Sequence, residues 1–280
     1  MNRSHALAEQ LLVDPDWIAE HLDDPAVRVV EVDVNRAAYE QGHIPGAVLW
    51  DAYVDLRHPD YSPVDAAELE QLLSRSGVTA ETTVVVYGYA AHLGFWLLKS
   101  YGHERVRLLD GPREQWPAAG HAWNAEVPVP AASRYTPAGA GSRLGWSRDA
   151  VQALAGTSDR VILDVRSRAE YDGERFWPSG APEETGRAGH IPGSVHLPIE
   201  QLRSADGRFK GPHELRRILA EHGITPDRPI VTYCTIGNRA GQAWFAMSHL
   251  LDYPDVDVYY GSWAEWGMDP DSPVACGVST

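Results

Sequence analysis

The chain has 280 residues, which is enough for two domains of ordinary size. Its 24 basic and 39 acidic residues give a formal net charge of −15 at pH 7, which argues against binding to nucleic acid or to an anionic membrane surface. Hydrophobic residues make up 44% of the chain and charged residues 22%, a composition typical of globular proteins and not of disordered ones.

The chain has two cysteines, Cys234 and Cys276. Two cysteines are too few for a disulfide framework or a cysteine-rich zinc site. No apolar run reaches the roughly 18 residues of a membrane-spanning helix, and the first residues lack the apolar run of a secretory signal. We therefore expect a cytoplasmic protein with reduced thiols, in which a single cysteine can act as a nucleophile.

Three short segments occur twice, in the same order and at a nearly constant offset of about 150 residues. The matching pairs are Gly42–Gly46 with Gly189–Gly193 (both GHIPG), Val84–Tyr87 with Pro229–Tyr233, and Gly111–Trp116 with Gly261–Trp266. This period is much too long for a solenoid, so each copy is predicted to be a domain. Residues 124–145 are rich in Pro, Ala, Gly and Ser, as linkers are. We predict a first domain at 1–125, a linker at 126–145 and a second domain at 146–280.

Each copy alternates short apolar runs with helical patterns. In the second copy, in chain order, the pattern predicts a strand at 161–165, a helix at 213–222, a strand at 229–233, a helix at 239–251 and a strand at 256–260. Nearly continuous apolar strands suit a buried parallel sheet, and strand–helix alternation is typical of an α/β domain with helices on both faces of the sheet.

Cys234 directly follows the predicted strand at 229–233, and the next residues lead into a helix. This is the carboxyl end of a parallel strand, where α/β proteins place their sites. Gly237 and Asn238 tolerate left-handed conformations, so the loop can curl and point its backbone N–H groups inward as an anion nest. The helix N-terminus and Arg239 add positive charge, and thiols in such surroundings lose their proton more easily than free cysteine does.

These features predict that Cys234 is a nucleophile acting on an anionic substrate, and a buried structural cysteine is the alternative. The predicted substrate-binding residues are Thr235, Ile236, Gly237, Asn238 and Arg239. No metal site is predicted.

On these residues the sequence resembles the rhodanese family, specifically its tandem two-domain sulfurtransferases. The segments that carry the resemblance extend over nearly the whole chain: the two GHIPG runs, 108–116, 233–245 and 259–266. The resemblance implies two α/β rhodanese-like domains, each a mainly parallel sheet with helices on both faces, and a catalytic site in the second. It implies that Cys234 takes sulfur from a small anionic donor such as thiosulfate. The resulting persulfide would pass the sulfur to cyanide, a small thiol or a protein thiol, without a metal or organic cofactor.

Several alternatives remain open. The Cys-x4-Arg spacing resembles sulfur-transfer loops, whereas related cysteine-dependent phosphatases use Cys-x5-Arg, so a phosphatase or arsenate reductase is a lesser alternative. Ile236 stands where relatives that use 3-mercaptopyruvate carry a catalytic serine, which favours thiosulfate over 3-mercaptopyruvate. A carrier or binding module that holds a persulfide for a protein partner would also need Cys234. In the first copy Gly88 stands opposite Cys234, so that copy has no nucleophile and is expected to cover the site.

One position departs from the family pattern. Many two-domain relatives carry a donor-binding arginine where this sequence has Glu170. Either Arg166, Arg168 or a residue of the segment 172–188, which includes Arg175 and Arg187, is expected to replace it, or donor binding is expected to be weaker. The histidines of the GHIPG runs, His43 and His190, occur in both copies and are therefore expected to be structural.

Overall fold

The computed structural model describes residues 10–136, 145–155, 157, 159–179 and 186–277. These residues form two compact units, the first made of 10–59 and 63–136 and the second of 60–62 and the described residues from 145 to 277. Among the described residues, no helix is both long and apolar enough to cross a membrane.

The first unit is built on a five-stranded sheet. Its strands are β1 (Leu12–Val13), β2 (Val27–Asp33), β3 (Val48–Asp51), β4 (Thr83–Tyr87) and β5 (Val106–Leu109). They lie in the order β1–β5–β4–β2–β3, and every neighbouring pair is parallel. The helices are α1 (Pro15–Glu20), α2 (Ala37–Gln41), α3 (Ala66–Arg75), α4 (Ala91–Ser100) and α5 (Gln115–Ala118).

The second unit repeats this plan with four strands. They are β6 (Val161–Asp164), β7 (Val195–His196), β8 (Ile230–Tyr233) and β9 (Val256–Val258), in the order β7–β6–β8–β9 and again all parallel. The helices are α6 (Arg148–Leu154), α7 (Arg168–Tyr171), α8 (Pro212–Glu221), α9 (Asn238–Phe245) and α10 (Ser262–Met268), with a 3-10 helix at Ile199–Leu202. The α/β class with parallel sheets is confirmed.

The predicted elements of the second copy correspond to β6, α8, β8, α9 and β9. All four residues of β8 are buried, as expected for an inner strand covered on both faces. The helix predicted at 239–251 begins at Asn238 and changes at Ala246 into a π-helical turn that ends at Leu250. The apolar pattern continues through this turn, so the sequence period alone did not reveal the change.

The predicted linker is only partly described, because residues 137–144 lie outside the described ranges. Residues 126–136 form neither helix nor strand. Backbone N–H groups of this stretch nevertheless bond to the first unit: Ser133 N donates to Ser74 O at 2.9 Å, and Tyr135 N donates to Ser74 Oγ at 3.1 Å. The boundaries at 1–125, 126–145 and 146–280 stay a prediction.

The two GHIPG turns are held by the same contacts in both units. The N–H of Ile44 donates to Tyr87 Oη at 3.0 Å, and the N–H of Ile191 donates to Tyr233 Oη at 3.1 Å. Each turn is thereby attached to the last residue of an inner strand.

The histidines of these turns are buried against aromatic rings. His43 stacks on Tyr39 at 3.8 Å and His190 stacks on Tyr171 at 3.7 Å between ring centroids. The Nδ1 atom of each histidine lies 2.8 Å from the carbonyl oxygen of the same tyrosine. These equivalent contacts in both units agree with a structural role for His43 and His190.

Gly189 offers a test of the second turn. Its φ is +134°, and a Cβ atom there would lie 2.4 Å from Ala275 O and 2.6 Å from Val274 Cγ1. We expect Gly189→Ala to lower the free energy of unfolding of the second unit by about 2–4 kcal/mol, because backbone strain and overpacking add.

Gly223→Ala is the matched control. Gly223 has a φ of +70° with open space around it, so its substitution carries only the conformational cost of about 1 kcal/mol. Urea unfolding followed by tryptophan fluorescence measures both variants. Equal losses in the two variants would contradict the steric argument.

Candidate active site

Cys234 lies at the carboxyl end of β8, an inner strand of the second sheet, and is 1% exposed. Gly237 has a φ of +90°, a conformation that glycine adopts without steric cost. This conformation lets the chain curl back, and the N–H of Gly237 donates to Cys234 Sγ at 3.1 Å. Helix α9 begins at the next residue, so the sulfur lies beside a backbone donor at the start of a helix.

A second segment, the first turn of α10, holds the backbone on the other side of the cysteine. The N–H of Cys234 donates to Ser262 Oγ at 3.2 Å. Its carbonyl oxygen accepts from the N–H of Trp263 at 2.9 Å, and the carbonyl oxygen of Thr235 accepts from the N–H of Ala264 at 2.9 Å. Three consecutive residues of α10 therefore bind two consecutive residues of the loop.

Sequence reasoning did not single out Ser262. A signal was present in the repeat, because the residue at the corresponding position of the first copy is Pro112, which has neither a hydroxyl group nor a backbone N–H.

Arg239 forms a bidentate ion pair with Glu170, which lies on α7. Arg239 Nη1 donates to Glu170 Oε2 at 2.8 Å, and Nη2 donates to Oε1 at 2.7 Å. Nη2 also donates to Thr235 Oγ1 at 2.7 Å, while Thr235 Oγ1 donates to Glu170 Oε1 at 2.7 Å. The side chain of Glu170 is fully buried and that of Arg239 is 12% exposed. Glu170 thus connects both ends of the loop to α7.

Glu170 carries a charge at neutral pH. Burial raises the pKa of its carboxyl, but the hydrogen bond and charge of Arg239, with hydrogen bonds from Ser167 and Thr235, outweigh burial and lower the pKa to about 2. The Glu170–Arg239 pair is therefore neutral as a unit. The N–H of Gly237 and the start of α9 are the positive groups that the structure places beside Cys234 Sγ.

Two of the arginines considered as replacements at the Glu170 position have other partners. Arg166 is fully buried, and its guanidinium group bonds to Asp164 at 2.6 Å and lies 4.4 Å from the ring centroid of Trp263. Arg168 is exposed and pairs with Asp172 at 2.5 Å. Arg166 is held in a buried ion pair, and Arg168 lies on the surface.

The segment 172–188 supplies two further arginines, and its residues 180–185 lie outside the described ranges. Arg187 donates to the carbonyl oxygens of Asp269 and Ser272. Arg175 Nη2 lies 3.5 Å from the hydroxyl oxygen of Ser167, which itself donates to Glu170. Of these two arginines, Arg175 is the one joined to the network around the loop.

The predicted site residues from Cys234 to Arg239 lie together in the loop after β8 and the first turn of α9, and Thr235, Ile236 and Asn238 are buried there. Their role in substrate binding stays a prediction. Cys276 is exposed, with Sγ 3.5 Å from the carbonyl oxygen of Ala188. Within the described part of the chain, no group of three or more His, Cys, Asp or Glu side chains could hold a metal ion.

The corresponding loop of the first unit has no space for a cysteine side chain. Gly88 has a φ of +100°, and a Cβ atom there would lie 2.8 Å from Val32 O and 3.0 Å from Glu31 Cγ. A cysteine at this position would displace backbone atoms of β2, so the difference between the copies is built into the sheet.

The fold and loop define an α/β protein with a cysteine at the end of an inner strand, and comparison with known proteins gives its family. The family model of the rhodanese-like domain matches residues 14–119 and 147–269. The chain therefore belongs to the rhodanese family and contains two rhodanese-like domains.

Relatives match over nearly their full length. A protein of Thermus thermophilus named sulfur carrier protein TtuD is 39% identical over 279 residues, covering 96% of this chain and 97% of the relative. A protein of Mycolicibacterium smegmatis with the provisional name thiosulfate sulfurtransferase is 36% identical, covering 95% and 98%. The chain is thus related to rhodanese-like sulfurtransferases and sulfur carriers.

Solved structures of similar fold include EanB in complex with ergothioneine, with a TM-score of 0.87 and 29% identity. That match covers all of this chain and 72% of the EanB chain. An anaerobic ergothioneine biosynthesis enzyme from Chlorobium limicola matches with a TM-score of 0.84, 29% identity and coverage of 99% and 72%.

The low pKa of Glu170 predicts how stability depends on pH. The pKa in the folded protein lies below the ordinary value of 4.5, so the carboxylate contributes stability above that value, and the contribution is lost as the pH falls toward 2. We expect Glu170→Gln to be less stable than wild type at pH 7 and to lose less stability between about pH 5 and pH 2.

Glu221→Gln is the control for the acid range, since Glu221 is an exposed residue that pairs with Arg217 on the surface of α8. Its acid dependence should match wild type. Denaturant unfolding at a series of pH values measures this, and a Glu170→Gln curve parallel to wild type would contradict the assignment.

Proposed function

We propose that the chain is a sulfurtransferase that moves sulfane sulfur from thiosulfate to a thiophilic acceptor through a persulfide on Cys234. The observation that carries this proposal is the position of Cys234 Sγ, buried at the end of β8 with the N–H of Gly237 at 3.1 Å. A backbone donor at this distance stabilises the thiolate form of Cys234, which is the nucleophile.

In the first step the Cys234 thiolate attacks the outer sulfur of thiosulfate. A bond forms between Sγ and that sulfur, and the sulfur–sulfur bond of thiosulfate breaks. Sulfite leaves with the bonding electron pair, so the three negative charges of the reactants equal those of the persulfide anion and sulfite. No external oxidant or proton is needed, and the reaction is one half of a ping-pong cycle.

In the second step a nucleophilic acceptor attacks the outer sulfur of the persulfide. With cyanide, a carbon–sulfur bond forms, the sulfur–sulfur bond breaks and thiocyanate leaves, which restores the Cys234 thiolate. A small thiol or a protein thiol reacts in the same way as its thiolate and leaves as a persulfide.

Arg239 and Glu170 support this chemistry by holding the loop in its curled form. Because the pair is neutral, the charge of the donor would be met by the loop N–H groups and the start of α9. Arg175, linked to Glu170 through Ser167, is the cation of segment 172–188 in contact with this network and could meet the oxygen atoms of the donor.

Three observations bear on the proposal and its alternatives. Ile236 has no hydroxyl, which favours thiosulfate over 3-mercaptopyruvate as the donor. The relative named sulfur carrier protein TtuD supports a second candidate, a carrier that delivers its persulfide sulfur to a protein partner. A solved EanB structure described with a cysteine persulfide and ergothioneine supports persulfide chemistry in a similar fold.

The persulfide is tested by intact-protein mass spectrometry after incubation with thiosulfate. We expect the wild-type protein and the Cys276→Ser variant to gain the mass of one sulfur atom, and Cys234→Ser to gain none. A gain that survives Cys234→Ser would overturn the proposal.

Steady-state turnover distinguishes between the two donors and between a sulfurtransferase and a sulfur carrier. Thiocyanate formation from cyanide is measured with thiosulfate or 3-mercaptopyruvate as donor, with Cys234→Ser as the inactive control. We expect turnover with thiosulfate. Turnover with 3-mercaptopyruvate alone would reassign the donor, and a persulfide that forms but reacts slowly with cyanide and small thiols would favour the carrier.

A further inference from the structure

Ser262 is a buried, strained residue next to the nucleophile. Its φ is +54° and its side chain is fully buried. For a residue other than glycine this left-handed conformation costs about 1–2 kcal/mol. Such strain persists only where the surroundings hold the residue in place, and it concentrates at functional sites.

The corresponding segment of the first copy has a different backbone conformation. There Gly111 has the positive φ, +116°, and Pro112 takes the place of Ser262. In the second copy Gly261 has a φ of −61° and the left-handed conformation has moved to the serine. The carbonyl oxygen of Gly88, opposite Cys234, accepts from the N–H of Ala91, the first residue of α4.

The conformation of Ser262 places its hydroxyl between two backbone groups. Oγ accepts from the N–H of Cys234 at 3.2 Å and donates to the carbonyl oxygen of Tyr259 at 2.9 Å. The hydroxyl thereby connects Cys234, the residue after β8, to Tyr259, the residue after β9. It also serves as the hydrogen-bond acceptor for the backbone N–H of Cys234.

The next two residues of α10 determine the direction of the loop peptides. The carbonyl groups of Cys234 and Thr235 point toward the N–H groups of Trp263 and Ala264. In a trans peptide the C=O and the following N–H point in opposite directions. The N–H groups of Thr235 and Ile236 therefore face away from α10.

The first turn of α10 is itself held by contacts of Trp263. The indole N–H of Trp263 donates to the carbonyl oxygen of Arg187 at 3.0 Å, and the guanidinium group of Arg166 packs on its ring at 4.4 Å. The first turn of α10 can hold the loop in place only if it is itself held, and these contacts hold it.

We infer that the first turn of α10 is a clamp that aims the N–H groups of the Cys234 loop at the reacting sulfur, and that Ser262 is its positioning residue. This inference rests on the proposed function only in taking Cys234 as the nucleophile. Ser262 acts through the loop backbone, because its hydroxyl accepts from the N–H of Cys234.

The test compares Ser262→Gly with Ser262→Ala in a Cys276→Ser background. Both variants remove the hydroxyl, but glycine relieves the strain at φ +54° and alanine keeps it. The rate of Cys234 alkylation by iodoacetamide is measured from pH 5 to pH 10, together with the urea midpoint of unfolding. Ser272→Ala is the matched control, because it removes another buried hydroxyl, one that donates to Asp269.

We expect Cys234 in both Ser262 variants to be alkylated about threefold to tenfold more slowly at pH 7, with the midpoint of the pH profile moved upward. A change of this size corresponds to the loss of one hydrogen bond from a loop N–H to the sulfur. The glycine variant should be more stable than the alanine variant while reacting no faster. Ser272→Ala should lose stability and keep the wild-type pH profile.

Two results would overturn the inference. One is a glycine variant with the wild-type pH profile, and the other is reactivity that follows stability across all three variants. Alkylation needs no sulfur donor, so a wild-type protein that forms no persulfide with thiosulfate would defeat the proposed function and leave this comparison valid.

Discussion

The hydrogen bond from Gly237 N–H to Cys234 Sγ depends on one constraint: the chain must reverse direction between the end of β8 and the start of α9. The left-handed conformation of Gly237 makes this possible but does not maintain it. The loop is maintained from two sides, by Glu170 through the side chains of Thr235 and Arg239, and by α10 through backbone groups. The environment of the sulfur follows from these two attachments.

The Glu170–Arg239 pair has a cost as well as a function. A buried ion pair must offset the loss of hydration of both charges, and removing one partner commonly costs about 3–5 kcal/mol because the other is left uncompensated. The bidentate geometry and the bonds from Ser167 and Thr235 give the carboxylate the partners it needs. The pair also cancels the charge of Arg239, so the positive groups that remain in the loop are its oriented backbone dipoles.

Comparison of the two copies separates the contacts that both domains share from those found only around Cys234. Both copies attach the GHIPG turn to the last tyrosine of an inner strand, through Ile44 to Tyr87 and Ile191 to Tyr233. They differ at the following loop, where Gly88 has no room for a side chain, whereas Cys234 begins a loop that is bound by Glu170 and by Ser262. The shared contacts serve folding, and the added ones lie around the cysteine.

The sequence by itself determined the two α/β copies, the parallel strands and the curled loop that begins at Cys234. These features depend on apolar runs, repeated segments and a glycine, all of which are local. Glu170 stands where many relatives carry a donor-binding arginine, and only the tertiary structure decided that it is the partner of Arg239. Only the tertiary structure likewise decided that Ser262 adopts a left-handed conformation. The first depends on contact between residues far apart in the chain. The second is a conformation that serine does not favour and that its surroundings impose.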